Sequence, residues 1–164
     1  MKRLILMRHA KSSWKEAGLN DHERPLNGRG RRSATALGAW LRDQKYIPDQ
    51  ILSSSSARTR ETWERLGLVG APAFLDGLYH AGPDRMLTAL RDADGAVVLM
   101  LGHNPGIAEF AQDMVAEAPD HARFADYPTG ATLVVDFDID DWSQLELGTG
   151  RPRDFIIPRE LTED

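Results

Sequence analysis

The chain has 164 residues, of which 41% are hydrophobic and 27% are charged, and its net charge is −5. This composition is typical of a globular protein, and the length predicts one domain over residues 1–164. The negative charge argues against nucleic acid or an anionic membrane as a partner. The absence of cysteine excludes disulfides, zinc–thiolate sites and thiol nucleophiles. We find no apolar run long enough for a signal-peptide core or a membrane span, so we expect a cytoplasmic protein.

The first predicted element is the short apolar run Leu4-Ile5-Leu6-Met7. Four apolar residues in succession predict a strand that is buried on both faces. Arg8 and His9 follow it directly. Because ligands of open parallel sheets bind beyond the carboxyl ends of the strands, this position is where a guanidinium and an imidazole could act together.

Residues 11–32 form a polar stretch that is rich in turn residues and basic side chains. A long loop directly after a strand is often functional. Arg24 and the run from Arg29 to Arg32 are therefore candidates for contacting an anionic substrate. From Ser33 to Gln44 apolar residues recur at helical spacing, which predicts a helix.

The middle of the chain alternates between strands and helices. A short strand at Ile51-Leu52 leads through four serines into a helix over residues 57–66. Arg58 lies in the first turn of that helix, where free backbone N–H groups favour an anion. A strand over residues 73–75 and a helix over residues 84–91 follow.

A second strongly apolar run, residues 96–101, predicts a central strand, and it ends in Gly102-His103-Asn104-Pro105. Asn104 suits a helix N-cap and Pro105 suits the first helical position. Apolar residues from Ile107 to Val115 then match the pattern of an amphipathic helix. His103 is therefore expected at a strand end and beside a helix N-terminus, as Arg58 is.

The last third of the chain is interpreted as structural. Alternation from Thr132 to Ile139 predicts a strand with one wetter face, near a sheet edge. Residues 142–147 are predicted to pair back as a hairpin strand. Residues 148–164 are predicted to form a tail that packs through its apolar side chains.

Alternating strands and helices predict an α/β layered fold in which the strand ends share one rim. Arg8, His9, Arg58 and His103 can then converge although they are distant in sequence. Two guanidiniums, imidazoles and helix N-termini suit a doubly charged tetrahedral anion, that is, a phosphoryl group. A histidine can attack its phosphorus while the arginines stabilise the equatorial oxygens without a metal.

Other chemistries are less well represented in this sequence. The five histidines show no metal-ligand spacing such as HExxH. The chain has no phosphate-binding G-x-x-x-x-G-K-[ST] loop, no G-x-G-x-x-G and no G-x-S-x-G. We interpret His22 and His121 as structural or surface residues and leave His80 open.

Three motifs, each placed after a predicted strand, together resemble the histidine phosphatase superfamily. Within that superfamily, the small size and the segment between residues 21 and 30 look like the phosphohistidine phosphatase SixA group. The resemblance covers residues 2–115 in order and spacing. The motifs are Arg8-His9-Ala10, Ser54-Ser55-x-Ala57-Arg58-Thr59-x-x-Thr62, Gly102-His103-Asn104-Pro105 and, for the SixA group, Asp21-x-x-Arg24-Pro25-Leu26-x-x-x-Gly30.

The resemblance implies a fold and a set of roles. The fold would be a three-layer sandwich similar to phosphoglycerate mutase, with a mostly parallel central sheet flanked by helices and no cap domain. His9 would be the nucleophile that forms a covalent phosphohistidine. Arg8 and Arg58 would hold the phosphoryl oxygens and His103 would stabilise the transition state. Neither a metal nor a cofactor is implied.

One departure from the superfamily concerns the general acid. Many of its phosphomonoesterases and mutases carry Glu or Asp in the segment that corresponds here to residues 75–79. Gly77 stands at the aligned position and Asp76 lies one place before it. A poorly placed acid is a handicap for expelling an alkoxide but matters less for a phosphoramidate. Asp76 could still serve, and Asp21 and Glu23 are further candidates.

These observations leave three functions open. The first is a metal-independent phosphatase for phosphohistidine on a protein, acting as a monomer, and the lack of room for an inserted lid favours it. The second is a phosphomonoesterase for a small ester, with Asp76 as the acid. The third is a phosphate-binding module without turnover, which the complete set of four residues disfavours.

Overall fold

The computed structural model describes residues 1–15 and 18–162. Six strands form one sheet within these residues: β1 (Lys2–Arg8), β2 (Gln50–Ser54), β3 (Ala73–Leu75), β4 (Val97–Gly102), β5 (Thr132–Phe137) and β6 (Arg151–Ile156). The α-helices are α1 (Gly28–Asp43), α2 (Ala57–Leu66), α3 (Pro83–Arg91) and α4 (Gly106–Met114). None of the helices in this part of the chain is long and apolar enough to cross a membrane.

The strands lie in the order β3-β2-β4-β1-β5-β6. The first four are mutually parallel, whereas β5 and β6 are antiparallel to their neighbours. Alternate residues of β1 face opposite sides of this sheet. Leu4 and Leu6 pack in one apolar cluster with α3 and α4, while Ile5 and Met7 pack in the other with α1 and α2. The predicted three-layer α/β sandwich with a mostly parallel sheet is confirmed.

The pairing of β1 with β4 places the Arg8-His9 and Gly102-His103 motifs side by side. The strands run parallel in a register that sets Arg8 opposite Gly102. The His9 backbone N–H then donates to the Gly102 carbonyl at 3.2 Å. His9 and His103, each one residue beyond its strand, are thereby brought to the same rim of the sheet.

The first helix is longer than the sequence predicted. It begins at Gly28 rather than at Ser33, because the Asn27 side chain accepts a hydrogen bond from the Gly30 N–H and caps the N-terminus. Gly30, which looks like a helix breaker in the sequence, packs against the backbone of Lys11, where a Cβ would not fit. The run from Arg29 to Arg32 therefore lies on the first turns of α1 and not in a loop.

Two predictions for the last third of the chain are wrong. All six residues of β5 are buried, because β6 covers its outer edge and apolar clusters cover both faces. Its acidic residue, Asp136, is buried in an ion pair with Arg3 at 2.6 Å. The strand that pairs with β5 is β6, within the predicted tail, whereas Trp142–Gln144 form a 3₁₀ turn.

We predict that Gly30→Ala lowers the free energy of unfolding by about 1–3 kcal/mol through overpacking. A Cβ at Gly30 would lie 2.0 Å from the Lys11 carbonyl oxygen, in the segment that leaves β1. The matched control is Gly28→Ala in the same helix, where the nearest atom would lie 3.5 Å away. Urea unfolding checks both variants, and equal stability of the two would contradict this account of the helix start.

Candidate active site

His9 lies just beyond β1 and is 5% exposed. Its Nδ1 lies 2.7 Å from the Ala10 carbonyl oxygen. Since a carbonyl oxygen can only accept, Nδ1 carries the proton and Nε2 keeps its lone pair. The partner that fixes the tautomer, which the sequence does not reveal, is thus a backbone group of the next residue.

The surroundings keep His9 neutral. Burial lowers the pKa of its imidazole to about 3, and the positive charges of Arg8, Arg58 and Arg24 act in the same direction. The hydrogen bond to Ala10 opposes this shift without cancelling it. At neutral pH the ring therefore presents an unprotonated Nε2, which is the form that a nucleophile requires.

His103 lies beyond β4, is 3% exposed, and its ring centre is 5.2 Å from that of His9. Burial, with the nearby His9 and Arg58, lowers its pKa to about 2. Its Nε2 lies 2.8 Å from the hydroxyl oxygen of Ser54 at the end of β2. If the Ser54 hydroxyl donates to Nε2, the Nδ1 of His103 carries the proton and can donate to a bound oxygen.

Arg58 is positioned by the strand–turn–helix at the end of β2. Ser56 caps α2 by accepting a hydrogen bond from the Thr59 N–H, so Arg58 lies in the first turn. The Thr62 hydroxyl of the same helix donates to the Arg58 carbonyl and accepts from the Ala10 N–H. These bonds tie the start of α2 to the segment that carries His9.

Asp21 holds the arginines in place. Its Oδ2 accepts from Arg58 at 3.0 Å and its Oδ1 accepts from Arg24 at 3.1 Å. Hydrogen bonds from Tyr79, Arg58 and Arg24, in that order of effect, hold the pKa of the Asp21 carboxyl well below its usual range. Asp21 is therefore ionised and suits positioning, while its suggested role as a proton donor is not supported.

The structure brings five of the residues that the sequence marked as candidates into one cavity of about 250 Å³: Arg8, His9, Arg24, Arg58 and His103. Asp76 is exposed in a 3₁₀ turn and is not among the residues that line this cavity. The predicted alternative that uses Asp76 as general acid therefore lacks geometric support.

Unpaired polar atoms are concentrated in this cavity. Among the described residues, five buried side-chain nitrogen or oxygen atoms have no hydrogen-bond partner, and all belong to residues that line it. Four are nitrogens: Nε of Arg8, Arg24 and Arg58, and Nδ1 of His103. Buried donors without partners are costly, so their grouping indicates a site built to receive an anion.

Other lining residues were not predicted from the sequence as part of the site: Lys11, Ser12, Trp14, His80, Asn104 and Thr129. Asn104 is not the N-cap of α4, which is Pro105, and its amide instead donates to the carbonyls of Asp126 and Tyr127. Thr129 lies in the cavity wall because β5 runs antiparallel to β1, which places the segment before β5 at the end of β1. No local pattern in the sequence indicates that direction.

The remaining histidines and basic candidates have other partners. His22 lies 2.9 Å from the Ser55 hydroxyl, and His121 lies 2.9 Å from a carboxylate oxygen of Glu160. Both therefore have the structural contacts that the sequence suggested. Arg31, within the basic run of α1, pairs with Glu61 at 2.6 Å.

A second cavity of about 210 Å³ adjoins the first, and both are lined by Lys11 and Thr129. Its walls also carry Arg29, Arg123 and Arg159. Within residues 1–15 and 18–162, no carboxylate pairs with Lys11 or Arg159. In a chain of net charge −5 this is a local concentration of positive charge beside the candidate active site.

The sequence is similar to those of known proteins. The model of the histidine phosphatase superfamily (branch 1) matches residues 4–76, which contain Arg8, His9 and Arg58. An uncharacterized protein of Mycobacterium tuberculosis is 30% identical over 160 residues, covering 93% of this chain and 100% of that protein. The chain belongs to the histidine phosphatase superfamily.

Solved structures of similar proteins match nearly the whole length of this chain. The proposed phosphohistidine phosphatase SixA of Nakamurella multipartitia superposes with a TM-score of 0.84 at 29% identity, and the match covers 96% of each chain. The proposed SixA of Agrobacterium tumefaciens gives a TM-score of 0.80 at 29% identity, over 96% of this chain and 98% of the other. This chain is thus similar to the SixA group in fold and sequence.

The lowered pKa values of His9 and His103 predict how stability depends on pH. Against an ordinary value of 6.5, they fall to about 3 and about 2 in the folded protein. At pH values between 6.5 and these lowered pKa values, the unfolded chain binds more protons than the folded protein does. The free energy of unfolding should therefore fall as the pH drops below about 6.5, by up to about 1.4 kcal/mol per pH unit for each histidine.

Urea unfolding over a series of pH values, kept above the range in which carboxylates titrate, measures this slope. His9→Asn removes one of the two groups and should make the slope shallower by up to about 1.4 kcal/mol per pH unit. A variant with the same slope as the wild type would show that His9 is not held neutral by the fold.

Proposed function

We propose that the protein is a metal-independent phosphatase that removes the phosphoryl group from phosphohistidine on another protein. The observation that carries the proposal is the neutral, oriented imidazole of His9 in a cavity that holds the unpaired Nε–H donors of three arginines. We also propose that residues 1–164 form a single catalytic domain. The superfamily to which the chain belongs supports a hydrolase of this kind.

The first step transfers the phosphoryl group to the enzyme. The Nε2 of His9 forms a bond to phosphorus as the bond from phosphorus to the leaving nitrogen breaks, and that nitrogen keeps the electron pair. Guanidinium donors of Arg8, Arg24 and Arg58 bind the equatorial oxygens, where negative charge must be stabilised. His103 donates from Nδ1 to one of the same oxygens.

The second step releases phosphate. Water attacks phosphorus, the bond to Nε2 breaks, and the electron pair returns to His9. The Ala10 carbonyl accepts the Nδ1–H bond throughout, so it stabilises the positive charge that the ring acquires when Nε2 is phosphorylated. No step in this scheme requires a metal.

Two features support a protein substrate over a small ester. Asp76, the general acid that the alternative phosphomonoesterase would use, is not among the residues lining the cavity. The basic cavity beside the site suits the acidic surface of a phosphoprotein better than it suits a compact neutral leaving group. The similarity to proposed SixA phosphohistidine phosphatases points in the same direction.

We predict that His9→Ala lowers the rate of phosphohistidine hydrolysis by at least about 1000-fold, because the attacking nitrogen is lost. The assay uses a protein phosphorylated on histidine, and it is run in the presence of a strong chelator. His121→Ala is the control, since His121 is bonded to Glu160 outside the cavity, and its rate should equal that of the wild type.

Three outcomes would contradict the proposal. Retained activity in His9→Ala would exclude His9 as the nucleophile. Loss of wild-type activity with the chelator would exclude a metal-free mechanism. Rapid turnover of small phosphate esters with none of the phosphoprotein would replace the proposed substrate by an ester.

We predict that Arg159→Glu raises the KM for the phosphoprotein about tenfold and leaves its kcat within about twofold, because reversed charge in the second cavity weakens docking. The KM for a small phosphoramidate should stay the same as in the wild type. Arg151→Glu is the control, with the same charge change at an exposed position at the opposite end of β6. Equal KM values for Arg159→Glu and the wild type would exclude this cavity as a docking surface.

A further inference from the structure

Breaking the bond from phosphorus to the leaving group leaves an electron pair on the departing atom, and a basic leaving group such as an alkoxide needs a proton there. Several of the side chains described around the cavity are unsuited to supplying it. His9 and His103 are neutral and already have roles, and the arginines hold their protons too tightly to act as acids. Asp21 is ionised, and the Tyr79 hydroxyl already donates to it. His80 lines the same cavity and is not used by the steps described above.

His80 lies at the exposed side of the cavity, whereas His9 is buried. His9 is 5% exposed and forms the floor, whereas the His80 side chain is 59% exposed. The ring centre of His80 is 6.0 Å from that of His103. In an in-line displacement the leaving group points away from the nucleophile. With the nucleophile at the floor, the departing atom faces the mouth, where His80 lies.

The fold holds His80 there in an uncommon backbone conformation. Its φ is +56°, in the left-handed region that costs a non-glycine residue of order 1 kcal/mol. The backbone of the following residue packs closely against α4, since a Cβ on Gly106 would lie 1.9 Å from the Ala81 carbonyl oxygen. Strain of this kind at the mouth of a cavity is a feature of functional positions.

Asp21 and Tyr79 both contact the His80 ring. The His80 Nε2 lies 3.5 Å from Oδ2 of Asp21, so the imidazolium form has an ion-pair partner. The Tyr79 ring lies 3.9 Å away, centre to centre. Asp21 thus contacts both the arginine that binds the phosphoryl group and the histidine at the mouth.

We propose that His80 is the general acid that protonates the leaving group. This rests on the proposed function of the site. As the Nε2 of His9 bonds to phosphorus and the bond to the leaving atom breaks, the His80 imidazolium gives its proton to that atom. The neutral His80 then accepts a proton from the water that hydrolyses phosphorylated His9, which restores both groups. With such an acid the active site also turns over aryl phosphates, which serve as probes of the leaving group, although the proposed substrate is a phosphoprotein.

The test compares His80→Asn with the wild type on two aryl phosphates. Asparagine tolerates the positive φ, so the variant keeps the backbone and removes the acid. Phenyl phosphate has a poor leaving group and p-nitrophenyl phosphate a good one. We expect kcat/KM, which reports phosphoryl transfer to His9, to fall about 100-fold for phenyl phosphate and less than about fivefold for p-nitrophenyl phosphate.

His22→Asn is the matched control, because His22 also contacts Tyr79 but does not line the cavity. Any loss in this variant should be equal for the two substrates. An equal loss for both substrates in His80→Asn would show a merely structural role and overturn the proposal while the proposed function stands. A wild-type protein that is inactive on every phosphorylated substrate would overturn the proposed function, and this proposal with it.

Discussion

The parallel pairing of β1 with β4, in the register that sets Arg8 opposite Gly102, determines the geometry of the site. The central residues of both strands are buried, and they alternate between the apolar clusters on the two faces. A slip by one residue would exchange the faces and is strongly disfavoured. The packing of the core therefore fixes the distance between the His9 and His103 rings at the rim, and the sheet holds the site rigidly.

Charge is arranged around that frame in two ways. Burial together with the surrounding arginines keeps His9 and His103 neutral, so an unprotonated imidazole nitrogen is available in a strongly positive site. Asp21 offsets part of this positive charge and spaces Arg24 and Arg58 through its two carboxylate oxygens. The donors that Asp21 does not use are the ones left for an anion. A site of this kind is ready before its substrate arrives, as electrostatic stabilisation requires.

The sequence allowed the central strands and their polar ends to be predicted, because apolar runs leave few alternatives and Arg8, His9 and His103 lie within two residues of such runs. Arg58 could be placed because four serines link a short strand to the helix that carries it. It did not allow contacts that depend on tertiary direction to be predicted. Thr129 reaches the site because β5 is antiparallel, and Asn104 bonds to a distant loop instead of capping a helix. The tautomer of His9 depends on a backbone carbonyl, and backbone groups are the same in every sequence.

The central claim is that His9 becomes covalently phosphorylated at Nε2. Rapid quenching of the protein during turnover of a histidine-phosphorylated substrate, followed by peptide mass spectrometry under alkaline conditions, tests it most directly. A phosphoryl group on the imidazole of His9, absent from unreacted protein and from His9→Ala, is the predicted result. Turnover with no phosphorylated His9, or with the phosphoryl group on another residue, would contradict the account.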